Sequence, residues 1–220
     1  MHTLRDIEDA ASIFEEAGTD GFTFMPVGFG DVELAVQHFS SQACSEDGIS
    51  QSVISKALPF IGPHPVKLFI ASFAQGVFPE TWRRARLLAL KKLSVPSTPS
   101  DFRPIALLCF LAKVLEKLAH DQMASYLEES GLLDPKQTGF RKYNSTKTAL
   151  IKLTDDIRMG TDKKMVTFLF FFDFSKAFDT ILPFRLLVKL KNLGFSGGAL
   201  RCIGSYLVRF FWALLLSQTI

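Results

Sequence analysis

Residues 165–179 read MVTFLFFFDFSKAFD, and the fold turns on this stretch. Val166 to Phe172 is a nearly unbroken apolar run, long enough for one strand and far too short to span a membrane. A strand apolar on both faces belongs in the middle of a covered sheet. The run ends abruptly in a carboxylate, Asp173, and a second one, Asp179, follows shortly after. A carboxylate at the end of a buried strand is costly to desolvate unless something pairs with it. Exposure at the sheet edge, a metal ion and a nearby lysine each meet that need, and so does the plain alternative of an exposed turn with Asp173 as a cap. The expected fold class is α+β, with 166–172 as a central strand and Asp173 at its exposed carboxyl end.

The surrounding chain supports a folded, polyanion-seeking protein. Its 220 residues suffice for one large domain or two small ones, and 48% hydrophobic residues favour a packed core over disorder. The net charge of +3 hides an asymmetry. Residues 1–50 hold ten acidic side chains against one basic, Arg5, whereas the remainder holds 24 basic against 12 acidic. An acidic lead on a basic body suggests a polyanion-binding body with a separate leader, with an ordinary solvated surface as the alternative. Cys44, Cys109 and Cys202 are far apart and lack metal-ligand spacing, so they read as reduced thiols. The acidic amino end is no signal peptide and no run reaches membrane length, which points to a nuclear or cytoplasmic protein, neither secreted nor membrane-bound.

In chain order, residues 1–21 show no period and are expected to be a poorly ordered leader. Helices are expected over 32–39 with Asp31 as N-cap, over 50–58 closed by Pro59, and over 66–75 stopped by Gly76. From Trp82 the chain turns basic and extended, through Arg83, Arg84 and Arg86 to Lys91 and Lys92. The link SVPSTPSD at 94–101 must turn, and 102–108 returns as a second strand of a hairpin. The longest helix is expected over 111–129, ending at Gly131. Residues 136–152 carry Lys136, Arg141, Lys142, Lys147 and Lys152 with no acidic residue among them, and Phe140 and Tyr143 interleaved. Such a mixture suits a groove that follows phosphates and stacks bases. Ser145 is placed to cap a helix over 146–158. After the central strand, Asp179 or Thr180 is expected to cap a helix over 182–193 that Gly194 ends, followed by another over 199–207.

FFFDFSKAFDTI at 170–181 closely resembles the first catalytic motif of reverse transcriptases of the kind carried by non-LTR retrotransposons. FPETWRRARLLALKK at 78–92, DFRPIALLCFLAKVLEKL at 101–118 and QTGFRKYNSTKTAL at 137–150 look like further blocks of that family, in the expected order. The resemblance implies a right-hand polymerase: fingers over 22–160, the first part of the palm over 161–209 with an incomplete sheet, and an out-of-pattern apolar tail over 210–220. It implies RNA-directed DNA polymerase activity by two-metal nucleotidyl transfer, with RNA template, DNA primer and deoxynucleoside triphosphates as partners. Asp173 would bind Mg2+, helped by the backbone carbonyl of Phe174. Arg103 would contact the triphosphate, with Lys92 (or Lys91 beside it) adding charge. Phe178 would sit under the sugar and disfavour a ribose. Gln137, Gly139, Arg141, Lys142 and Lys147 would lie along the template and primer path.

The family's Tyr-x-Asp-Asp hairpin has no counterpart here; Asp155-Asp156 follows Thr154, upstream of the central motif. The chain therefore reads as a truncated domain, inactive alone. Two other readings stay open: a non-catalytic nucleic-acid-binding remnant, and a phosphohydrolase with an aspartate nucleophile. The latter wants a second aspartate where Ser175 stands. The oligomeric state is left open.

Overall fold

The computed structural model describes residues 13–15, 17–40, 44–98, 101–174, 177 and 180–217, the backbone alone over 208–217. Seven helices and one hairpin follow in order among these residues: α1 (Phe29–His38), α2 (Gln51–Ile61), α3 (Pro63–Gln75), a 3-10 turn (Glu80–Arg83), β1 (Ala85–Lys91), β2 (Phe102–Leu108), α4 (Phe110–Glu129), α5 (Thr146–Asp162), α6 (Pro183–Asn192) and α7 (Gly197–Ser217). This is a mixture of helix and one small antiparallel sheet, and the chain divides into two compact units. The first comprises Met1–Tyr126 with Ile181–Ile220, the second Leu127–Thr180.

In the first unit, α3 packs on α7, α1 on α2 and α3, and α6 on α7. Val32, Val36, Phe69, Val114, Leu115, Leu187, Phe195 and Leu200 are all but sealed from solvent. Each contributes roughly 1.5–3 kcal/mol of apolar burial. An aromatic cluster joins distant segments: Phe22 lies 4.6 Å from Phe195 and 5.1 Å from Tyr126, and Phe24 stacks on Phe73 at 4.7 Å. The Phe22 N–H donates to Gly194 O at 2.8 Å, and the Ser196 N–H donates back to Phe22 O at 2.9 Å. Gly194 has φ +83, and a Cβ there would stand 2.6 Å from the Tyr126 hydroxyl, so both conformation and space require glycine. In the segment expected to be a loose leader, the described part is anchored. Ile13 is buried, and Gly18 O accepts from the Gly197 N–H at 3.1 Å.

Several boundaries shift for identifiable reasons. Helix α1 starts at Phe29 with Gly28 as N-cap; Asp31 instead reaches back to accept from the Gly28 N–H at 2.7 Å. Pro59 does not close α2 but sits within its last turn, where only one helical donor is lost and the Gly62 N–H still reaches Leu58 O at 2.8 Å. Helix α3 begins at Pro63, earlier than expected, because proline suits the first helical position. The same preference starts α6 at Pro183 with Leu182 as N-cap, in place of Thr180; Asp179 lies outside the described residues. Helix α7 is much longer than 199–207.

The central-strand expectation is overturned. Residues 165–174 form no strand or helix, and Val166, Phe168 and Phe170 to Phe172 are 77–83% exposed. A strand is held by a ladder of partners rather than by its own composition. Among the described residues the two strands pair with each other, and none pairs with 166–172.

Candidate functional site

The hairpin presents the first group of expected site residues. Its register pairs Leu90 with Arg103 and Lys91 with Phe102, and directly opposed residues share a face while neighbours alternate. Arg103 and Leu90 therefore lie on one face and Lys91 on the other. The Lys92 N–H donates to Asp101 O at 2.7 Å, which extends the pairing and puts Lys92 on the face of Arg103. The alternative, Lys91, lies on the opposite face. Arg103 is exposed, and no carboxylate pairs with it among the described residues. Asp101 is committed to the turn: its Oδ2 accepts from the Ser97 and Thr98 N–H groups, both at 2.9 Å, and from the Thr98 hydroxyl at 3.1 Å. The Ser97 and Thr98 donors hold its carboxyl below the usual carboxylate range.

The second group occupies the loop between α4 and α5, in the second unit. Helix α4 ends where expected, at left-handed Gly131, whose N–H donates to Glu128 O at 3.1 Å. Asp134 then organises a turn, accepting from the Lys136 and Gln137 N–H groups at 2.8 and 2.9 Å. Arg141 does not point outward. Its guanidinium forks onto Glu128 through Nε–Oε1 at 2.8 Å and Nη2–Oε2 at 2.5 Å, while Nη1 donates to the carbonyls of Asp134 and Gln137. This bidentate pairing lowers the Glu128 carboxyl and raises the arginine. The Gln137 amide donates to Gly139 O at 3.2 Å. Lys142 Nζ lies 5.3 Å from the Tyr143 ring centre. Ser145 caps α5, its Oγ accepting from the Thr148 N–H while the Thr148 hydroxyl accepts from the Ser145 N–H, and Lys147 sits exposed in the first turn.

Asp173 and Phe174 are exposed at the end of the apolar segment; Phe178 lies outside the described residues. Asp173, Phe174 and the loop residues belong to the second unit, Arg103 and Lys92 to the first. Among the described residues, no group of three or more His, Cys, Asp or Glu side chains could hold a metal ion. None of the cysteines forms a disulfide, and burial pushes the Cys202 thiol up to about 11, as befits an inert core thiol. A cleft of about 440 Å³ in the first unit, lined in part by Glu46, Asp47, Trp82 and Arg84, collects none of the expected site residues.

Comparison with known proteins matches residues 90–218 to the family described as reverse transcriptase (RNA-dependent DNA polymerase). The chain belongs to the reverse transcriptase family. Its relatives are retrotransposon proteins of the non-LTR kind. It is 33% identical over 53% of its length to the protein named as RNA-directed DNA polymerase of transposon BS in Drosophila melanogaster. To that of transposon X-element in the same organism it is 29% identical over 73%. With the Pol polyprotein of type-1 retrotransposable element R2 from Popillia japonica it shares 25% over 80%. The chain spans 13%, 18% and 24% of these relatives' own lengths. Every expected site residue, from Lys92 to Phe178, falls inside the matched range.

Two functional supports escaped the sequence reading. Glu128 as the anchor of Arg141 left no local signal, since the two are 13 residues apart across a loop. Asp101 reaches back three and four residues to the Thr98 and Ser97 N–H groups, opposite to the forward reach of an ordinary Asx turn.

Proposed function

We propose that this chain supplies the fingers and the first part of the palm of an RNA-directed DNA polymerase, and that these 220 residues alone bind nucleic acid without extending a primer. The observation that carries this is the exposed face of the hairpin, where Arg103 stands without a carboxylate partner and Lys92 lies on the same side. A guanidinium fork matches two phosphate oxygens at once, so this face would grip the triphosphate of an incoming deoxynucleotide. Lys142 and Lys147, with Gln137 and Gly139, would track the RNA template and DNA primer, and Arg141 would position that loop from beneath. Phe178 would exclude ribose sugars.

Asp173, beside the Phe174 carbonyl, is the carboxylate offered to magnesium. Two such ions, when bound, stabilise the attacking and leaving oxygens, and they demand several hard oxygen donors. The described residues offer Asp173 and no cluster around it, so they do not by themselves fit the pair. Nor does the sequence contain a Tyr-x-Asp-Asp.

The test pairs two assays on the purified chain. Primer extension with magnesium and all four deoxynucleotides should stay at background. Extension that disappears in Asp173→Asn would mean that a further carboxylate completes the site, and would overturn the inactivity. Binding of labelled RNA–DNA primer-template should weaken steeply with salt; a flat response would remove the nucleic-acid reading.

A further inference from the structure

Among the described residues, three other than glycine have left-handed backbone, and two of them, Phe140 (φ 58) and Tyr143 (φ 63), bracket Arg141 and Lys142. Bulky side chains avoid that region because it is sterically strained, and such strain gathers at functional sites. Both rings are thrust outward, Phe140 93% and Tyr143 89% exposed. The cause lies underneath. Arg141 is pulled inward by Glu128 and by the Asp134 and Gln137 carbonyls, and the Asn144 N–H closes back on Arg141 O at 3.3 Å. The chain bends around the half-exposed Arg141–Glu128 pair, and the rings beside it point to solvent.

We infer that Phe140 and Tyr143 form a stacking platform for two unpaired bases of a single-stranded nucleic acid, with Lys142 and Lys147 on its phosphates. This rests on the nucleic-acid binding proposed above and adds a base-reading component to it. Exposed aromatic faces on a basic loop are what single strands use, because any unstacked base offers a π-face to a side chain. No acidic residue lies between Asp134 and Asp155. A lipid surface fits less well: residues 137–147 offer two aromatic rings and no Leu, Ile or Val, a small apolar area for an interfacial contact.

The experiment compares two short labelled strands of equal length on the full chain, one of ordinary deoxythymidines and one of abasic sugar-phosphates. Phe140→Ala and Tyr143→Ala should each weaken binding of the base-bearing strand about fivefold or more and leave the abasic strand unchanged. Phe140→Trp and Tyr143→Trp should retain the preference for bases, with indole fluorescence quenched by the base-bearing strand alone, which keeps the idea testable if an alanine variant misfolds. Equal losses on both strands, or wild-type binding that does not distinguish them, would overturn the platform while leaving phosphate binding intact. Failure of the wild type to bind either strand would overturn the underlying reading and the platform with it. Binding to anionic phospholipid vesicles that depends on both rings, with neither strand competing, would assign the loop to a membrane surface instead.

Discussion

Removing the Tyr206 hydroxyl should destabilise the first unit by an amount that depends on pH. Tyr206 on α7 donates to Glu116 Oε1 on α4 at 2.6 Å. Burial raises the Glu116 carboxyl above its ordinary 4.5, against the opposing pull of the Tyr206 hydrogen bond and of Lys113. In Tyr206→Phe the ring stays, including its edge contact with Phe78 at 5.0 Å, so packing is little changed and the hydrogen bond is the main loss. A bond to a charged group is worth about 1.5–3 kcal/mol, and a neutral one about 0.5–1.5 kcal/mol. The sign follows from linkage. A carboxyl whose folded value is raised contributes fully below 4.5 and loses that contribution as pH rises through the folded value. Deleting the donor raises the folded value further, so the loss deepens above 4.5. At about pH 7 the melting temperature should fall by roughly 3–12 °C, taking 2–4 °C per kcal/mol for a chain of this size, with a smaller fall at about pH 4. Thermal melts followed by circular dichroism at both pH values, repeated in a Glu116→Gln background, make the measurement. An equal shift at both pH values, or an undiminished one in the Glu116→Gln background, would refute a buried charged acceptor.

Ser145→Ala should cost about 1 kcal/mol by opening the capping box of α5, seen as lower helicity and faster proteolysis near residues 146–150. Lys147→Ala should reduce the slope of log affinity against log salt by about 0.7 for a single strand, where an unchanged slope would place Lys147 off the phosphate path. The Asp101 turn should persist above 3.8 and come apart as pH falls through the lower folded value. The Ser97 and Thr98 amide chemical shifts should then titrate with a midpoint below 3.8; a midpoint at or above it would contradict the bonds.

Much of this architecture was legible because its determinants are local. The hairpin follows from basic, extended flanks around a Pro-rich link. The end of α4 follows from Gly131, and the start of α5 from Ser145. The fate of 166–172 was not legible, since composition states a readiness to be buried and only partners supply the ladder. Pro59 misled for a related reason: a breaker in the last turn removes one bond that the surrounding packing outweighs. The direction of Arg141 was illegible too, because a basic residue in a basic stretch looks like a ligand contact until its carboxylate appears from a preceding helix.

The crossing of Phe22 with Gly194 and Ser196 has a bearing on how the protein is made. The Thr23 and Ser196 hydroxyls, bonded at 2.9 Å beside that crossing, are 173 residues apart. At about 5–20 residues per second, the ribosome needs roughly 9–35 s between delivering one side and the other. Throughout that interval Phe22 lacks its partner Phe195, and the nascent chain carries an open aromatic surface. A holdase that recognises such surfaces would find its longest working window here, and slowing translation near residue 190 would lengthen it.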